Sequence, residues 1–174
     1  IDESFANVTF HKRAVVADRK QPEKVETLDT YLPKRVPSWK VNKARELYKE
    51  HQEILTKIGN EYSVQPRFIV ALWGLETNFG KFTGGYNVIS ALSTLAYEGR
   101  RETFFKKQLW AALTILDEGH IKIDDMKGSW AGAMGQNQFM PTSFLAYAVD
   151  GDGDGKKDIW NNQVDIFASM ANYL

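Results

Sequence analysis

The sequence predicts a mainly α-helical protein, and three observations predict it. Apolar residues recur at helical spacing through most of the chain, no segment sustains strand alternation, and turn-forming residues separate the periodic segments. At 174 residues the chain suffices for one domain, or for a small lobe beside a larger core, and can bury a sizeable interior. Its 22 basic and 22 acidic residues cancel, which argues against nucleic acid or an anionic membrane surface as the main partner. The absence of cysteine excludes disulfides, thiolate chemistry and cysteine-based zinc sites. No run approaches the roughly 20 apolar residues that span a bilayer. The opening Ile1-Asp2-Glu3-Ser4 has neither a basic nor an apolar signal region, so an exported protein would have lost its signal already. The last residues, Asn172-Tyr173-Leu174, break off inside a helical pattern and suggest a fragment of something longer.

Taken in order, residues 1–29 carry short helical patterns. Tyr31-Leu32-Pro33-Lys34-Arg35-Val36-Pro37 reads as a turn-rich stretch because its prolines restrict the backbone. From about 40 to 61 an amphipathic helix turns Ala44, Leu47, Tyr48, Ile54, Leu55 and Ile58 inward, with Gly59-Asn60 as its stop. A helix then begins at Ser63, tolerates Pro66 in its first turn and ends at Gly80. Lys81–Tyr86 is a loop, followed by helices at about 87–97 and 101–118. Residues 127–141 are rich in small side chains and predict irregular, closely packed backbone. A short helix follows Pro141, and after an acidic glycine loop at 150–158 a final helix starts near 162. The natural boundary divides an N-terminal helical lobe, residues 1–62, from a catalytic core, residues 63–174.

One residue stands against the pattern. On a wheel of about 100° per residue, Glu76 falls amid Ile69, Leu72, Trp73 and Phe79, opposite Arg67, Gly74 and Asn78. A carboxyl on an apolar face without a partner holds its proton to higher pH, which is what a glycosidic leaving oxygen needs from a proton donor. The blander readings are a helix-end residue reaching water, or an ion-paired core glutamate.

Gly74-Leu75-Glu76-Thr77-Asn78-Phe79-Gly80 resembles the catalytic signature of lytic transglycosylases and goose-type lysozymes. Gly132-Ala133-Met134-Gly135-Gln136-Asn137-Gln138-Phe139-Met140-Pro141-Thr142-Ser143-Phe144 resembles the second signature of the membrane-bound lytic murein transglycosylase B family, glycoside hydrolase family 103. Asp150 to Trp160, Asn172-Tyr173-Leu174 and the N-terminal Asp18-Arg19-Lys20-Gln21-Pro22-Glu23 are similar to that family in order and spacing. The resemblance implies a lysozyme-like helical core and an enzyme that cleaves the bond between N-acetylmuramic acid and N-acetylglucosamine. Glu76 would serve as its lone acid and then base, leaving a 1,6-anhydro end. It also implies substrate contacts from Gln138, Ser129, Tyr31 and Tyr173. Read as residues alone, the tyrosines are equally core aromatics and Ser129 a turn residue, while Met134 and Phe139 line the groove or pack beneath it. Asp117, Glu118, Asp124 and Asp125 could supply a second acid, but they cluster at a helix end and polar loop that reads as solvated surface. The rivals are a hydrolytic muramidase and a catalytically silent, calcium-stabilised glycan-binding protein.

Asp150-Gly151-Asp152-Gly153-Asp154-Gly155 follows the EF-hand rule of side-chain oxygens at positions 1, 3 and 5 with glycine at 6. Lys156 would offer its carbonyl at position 7, and Asp158 could act through water at position 9. Position 12 is Asn161 instead of glutamate, so Asp165 is the natural closing ligand across a longer loop. Hard oxygen donors select calcium in a structural role, with no organic cofactor. The expected partners are peptidoglycan glycan strands, with cell-wall synthesis proteins beside them and no nucleic acid. The chain is expected to be a monomer in the periplasm, soluble or outer-membrane-anchored in its precursor.

Overall fold

The computed structural model describes residues 5–20 and 27–174. Gln21-Pro22-Glu23, part of the N-terminal resemblance, and the opening Ile1–Ser4 lie outside the described residues. Among the described residues there are nine helices and one two-stranded sheet: α1 (Lys12–Arg19), α2 (Leu28–Arg35), α3 (Ser38–Glu50), α4 (Gln52–Tyr62), α5 (Pro66–Thr77), β1 (Tyr86–Asn87), α6 (Val88–Glu98), α7 (Glu102–Asp117), β2 (Lys127–Gly128), α8 (Pro141–Tyr147) and α9 (Gln163–Tyr173). The expectation of a mainly α protein is met.

The centre belongs to α6. Asn87 caps it by accepting from Ser90 N at 2.9 Å, and Gly99, in the left-handed region, ends it. Between those signals Val88, Ile89, Ala91, Leu92, Leu95 and Ala96 are all buried, so this helix is apolar on nearly every side and must be enclosed. It is enclosed by α7 and, through α7, by α8; Phe105, Ile115, Met126, Met134, Phe139, Phe144 and Ile159 complete that cluster. Burying each such side chain contributes on the order of 1.5–3 kcal/mol.

A second cluster joins Leu47, Leu55 and Ile58 of α3 and α4 to Ile69, Val70 and Trp73 of α5 and to Ile166, Phe167, Ala168, Met170 and Ala171 of α9. The N-terminal segment is tied to α6 separately. Thr9 N donates to Ser90 Oγ at 3.2 Å and His11 N to Thr94 Oγ1 at 3.0 Å. Asp18, 1% exposed, accepts from Arg100 Nε at 2.5 Å and from Arg101 Nη2 at 2.6 Å. The Arg100 hydrogen bond leads the forces that hold its carboxyl below the usual range, with Arg101 adding to it.

Several expected boundaries move. The supposed turn at 31–37 is mostly α2, with Pro33 inside it. A single turn on either side suffices, since Tyr31 N donates to Thr27 O and Val36 N to Leu32 O. The single helix expected over 40–61 is two, broken at His51, whose ring packs edge-on against Trp73 and Phe167. Gly59 does not stop α4; the helix runs on to Tyr62, and Ser63 in the left-handed region ends it. Gly59 is small for another reason, because a Cβ there would lie 2.7 Å from Val64 O and 2.8 Å from Pro66 Cγ. The next helix therefore starts at Pro66, not Ser63, and ends at Thr77, not Gly80. Two strands appear where none was expected, pairing Tyr86 with Gly128 and Asn87 with Lys127; at two residues each they are too short to leave an alternation in the sequence.

Candidate active site

Glu76 lies in the last turn of α5, and the turn that follows is built for close approach. Asn78, Phe79 and Gly80 have φ of 52°, 61° and 78°, three consecutive left-handed residues of which two are not glycine, a costly conformation that needs support. The support is packing. The Phe79 ring folds back over Gly74, where a Cβ would sit 2.7 Å from Phe79 Cε1, and meets Trp73 edge-on at 5.5 Å. Thr77 Oγ1 accepts from Gly80 N at 2.9 Å, and Phe82 N donates to Thr77 O at 2.9 Å. Gly74, Thr77, Phe79 and Gly80 thus fix the direction in which the helix presents Glu76.

The expectation that Glu76 sits at the middle of a buried face is corrected. The buried residues of α5 are Ile69, Val70, Trp73, Gly74 and Thr77, so that face is centred on Val70 and Thr77, and Glu76 stands at its rim, exposed. The wheel misplaced it because Leu72 and Phe79, counted as core, are only partly buried. Protein atoms on one side still deprive the carboxyl of solvent, and this burial pushes its pKa above the usual carboxylate range. Among the described residues nothing hydrogen-bonds or ion-pairs with it.

Under this turn lies a residue that the sequence reading passed over, Gln136. Its Oε1 accepts from Trp73 Nε1 at 2.7 Å, its Nε2 donates to Trp160 O at 3.0 Å, its amide N donates to Ile159 O at 2.8 Å, and its carbonyl accepts from Thr77 Oγ1 at 3.2 Å. A Cβ on Gly80 would come within 2.3 Å of Gln136 Oε1. The two expected signatures therefore dock on each other through Gln136. The one local signal was the preceding Gly135, a neighbour that Gln138, between Asn137 and Phe139, does not have.

Gln138 adopts φ 50°, and its Nε2 donates to Thr83 O at 3.0 Å and Gly135 O at 3.1 Å. The amide nitrogen is thereby spent on backbone, and only Oε1 is left to face a ligand. Ser129 Oγ accepts from Ala131 N at 3.3 Å and Ala133 N at 3.0 Å. It is a turn residue, yet the turn leaves the hydroxyl proton free to donate. Gly84 binds these pieces together, since a Cβ there would lie 2.1 Å from Gly128 O and 2.6 Å from Ser129 N. Gln138 and Ser129 accordingly border the one loop that leaves the Glu76 turn. Tyr173, 50% exposed, packs at a tilt against Phe139 with centroids 5.4 Å apart and meets Tyr147 edge-on at 5.1 Å; Phe139 and Met134 are buried in the core. Tyr31, 40% exposed on α2, has the Arg35 guanidinium 5.6 Å from its ring centroid and, among the described residues, no hydrogen bond or ring contact to the Glu76 turn. Asp117, Glu118, Asp124 and Asp125 are exposed, as expected of solvated acids.

In the acidic loop, carboxylate oxygens of Asp150, Asp152 and Asp154 lie within 4.8 Å of one another. Asp150 accepts from the backbone N–H groups of Gly153, Asp154 and Gly155, bonds that hold its carboxyl below the usual range. Lys156 N donates to Asp154 Oδ1 at 2.8 Å. Buried Asp165 accepts from Gly151 N at 2.8 Å through one oxygen and from Asp158 N at 2.7 Å through the other, closing the loop across its base. Each carboxylate oxygen has a second lone pair for a cation, so an all-oxygen donor set is compatible with calcium.

The family profile described as the transglycosylase SLT domain matches residues 1–174. The chain belongs to that family. It is 37% identical to the membrane-bound lytic murein transglycosylase B of Escherichia coli (strain K12) over 128 residues, 73% of this chain and 35% of the relative. It is similar to the crystal structures of SltB3 from Pseudomonas aeruginosa in complex with NAG-NAM-pentapeptide and with NAG-anhNAM-pentapeptide, with TM-score 0.95 and 46% identity over 99% of this chain and 46% of that one. It also resembles the Escherichia coli lytic transglycosylase Slt35 in complex with calcium, with TM-score 0.87 and 31% identity over 98% of this chain and 55% of that one. The chain thus spans about a third to a half of the length of these relatives.

For this transglycosylase SLT domain, the contact of Gly80 with Gln136 gives a direct test. Gly80→Ala places a methyl against an amide that Trp73 and Trp160 already hold, at a φ that alanine disfavours, and is expected to cost about 2–3 kcal/mol. Chemical denaturation of variant and parent measures it. Stability unchanged within about 0.5 kcal/mol would mean that the two signatures do not dock rigidly.

Proposed function

We propose that this domain is a peptidoglycan lytic transglycosylase, cleaving the β-1,4 bond between N-acetylmuramic acid and N-acetylglucosamine with Glu76 as its acid and base. The observation that carries the reading is the Glu76 carboxyl itself, solvent-accessible, without a partner among the described residues and raised by burial, on a turn braced by Gln136. A carboxyl in that state can hold a proton and deliver it outward. The ligands named for the Pseudomonas aeruginosa relative, NAG-NAM and NAG-anhNAM pentapeptides, support the substrate and the anhydro product.

Protonated Glu76 gives its proton to the leaving O4 of N-acetylglucosamine as the C1–O4 bond breaks. The resulting carboxylate takes the proton of the muramic 6-hydroxyl while O6 bonds to C1. Glu76 is protonated again, and no water is consumed. A second carboxylate is dispensable, because the substrate's 2-acetamido group can stabilise the developing positive charge. An internal hydroxyl already held near C1 has a large effective molarity and outcompetes water.

Gln138 contacts the sugar through Oε1 and Ser129 through its hydroxyl proton, with Tyr31 and Tyr173 as aromatic walls. Asp150, Asp152, Asp154, the Lys156 carbonyl and Asp165 hold a calcium ion whose part is structural. The setting is the cell wall on the periplasmic side. No helix among the described residues is long and apolar enough to cross a membrane.

Mass spectrometry of sacculi digested with the protein tests the reaction. Anhydro-muropeptides as the released ends are expected. Reducing ends would make the protein a hydrolytic muramidase, and no release would leave a binding protein.

A further inference from the structure

We propose that the cleft behind the Thr83–Gly84 wall of the active site binds the carboxylates of a peptide carried by the glycan. The inference rests on the reading of the site as a peptidoglycan site. The cleft measures about 400 Å³, and Thr83, Gly84, Lys122, Lys127, Lys156 and Trp160 line it.

Its position follows from the contacts already described. Thr83 O is the acceptor of Gln138 Nε2, and Gly84 lies against Gly128 O and Ser129 N. One layer of backbone therefore separates Gln138 and Ser129 from the cleft. A glycan held by those two residues needs only a short arm to reach over it.

Its charge selects the arm. Lys122, Lys127 and Lys156 are exposed, and among the described residues none of the three ammonium groups ion-pairs with a carboxylate. Asp125 and Asp158 are the acids in the lining. Asp158 is engaged, accepting from Trp160 N and Asn161 N at 2.9 Å each. His120, also in the lining, turns Nδ1 to Lys157 N at 3.2 Å and Nε2 to Glu118 at 3.2 Å. Asp150 and Asp152 of the acidic loop line a different cleft, against α4. Three lysines without an ion-pair partner among the described residues thus share the lining with two acids, one already committed to backbone. Trp160 is anchored by Nε1 donating to Lys127 O at 3.2 Å, which gives the cleft one held apolar wall beside its lysines. Carboxylates joined by short aliphatic segments, as in an acidic peptide, match that pairing of charge and ring. The glycan alone offers at most the single lactyl carboxylate of N-acetylmuramic acid, held against its ring, with no flexible chain to carry it over the Thr83–Gly84 wall.

Calorimetric binding to the Glu76→Gln protein tests the inference, with NAG-NAM disaccharide and NAG-NAM-pentapeptide as the two probes. The pentapeptide form is expected to bind about tenfold more tightly at low ionic strength, and the advantage should shrink in salt because exposed charges are screened. The Lys122→Ala/Lys127→Ala double variant should lose the advantage while keeping the disaccharide affinity, and Lys122→Arg/Lys127→Arg should retain it. Equal affinity for the two probes, or an equal loss of both in the alanine variant, overturns the proposal and leaves the glycan reading standing. If neither probe binds, the glycan reading falls and takes this one with it.

Discussion

Glu76→Gln is expected to lower kcat by about three to four orders of magnitude while leaving glycan binding and the folded structure intact. Glutamine keeps the shape of the side chain but can neither give the proton to O4 nor take one from the 6-hydroxyl, so both halves of the reaction fail at once. The fold should not suffer, because among the described residues Glu76 has no hydrogen bond or ion pair to lose. The sign of its pKa shift adds a control. A carboxyl raised by burial contributes stability that is fully present below its ordinary pKa and lost as pH rises through its folded value. Glutamine removes that loss, so the variant should be no less stable than the parent at neutral pH. The same shift shapes the rate. The acid form begins the reaction, so kcat/KM should fall on an alkaline limb whose midpoint lies above that of an ordinary glutamate. Turnover by the glutamine variant at the parental rate would remove Glu76 from the chemistry, and a limb at the ordinary glutamate position would remove the role of burial.

The helices were legible because their apolar periods and caps are local. The helices expected at about 87–97, at 101–118 and after Pro141 are kept. What was not legible depends on contacts distant in sequence. His51 breaks a helix whose period runs through it, because its ring packs against Trp73 and Phe167. Gly59 looks like a stop and is instead a landing place for Pro66. In the site, Glu76 was singled out for its chemistry but misplaced by the wheel, which presumes that every apolar residue on an arc is core. Gln136 was missed because its partners Trp73 and Trp160 are distant in sequence, and its one local mark, the preceding Gly135, says nothing of them. The small residues around it carried a trace of this, since Gly80 and Gly84 are small where segments from opposite halves of the chain meet.

Calcium is expected to raise Tm, and Asp150→Ala to abolish the rise. A cation present at about a hundred times its Kd adds about 2.7 kcal/mol, or roughly 5–10 °C for a chain of this size. The loop already gathers oxygen donors that such a cation would need. Asp150 gathers three backbone N–H groups, which holds the carboxylates of Asp152 and Asp154 close by despite their mutual repulsion. Alanine at 150 removes a ligand and that acceptor together, so it lowers Tm even without metal. Asp154→Asn is the cleaner variant, because it keeps an oxygen for Lys156 N and alters only the charge. It should weaken the calcium response while leaving the metal-free Tm near that of the parent. Activity should follow the metal as well. Asp165 clasps Gly151 N and Asp158 N, and just beyond Asp158 the carbonyls of Ile159 and Trp160 receive the amides of Gln136. Gln136 in turn holds Trp73 and Thr77 on either side of the turn that aims Glu76. A chelator should therefore lower kcat, since the acid loses its aim. A Tm indifferent to calcium would reduce the loop to a solvated turn, and a Tm that responds while kcat does not would break the path through Gln136.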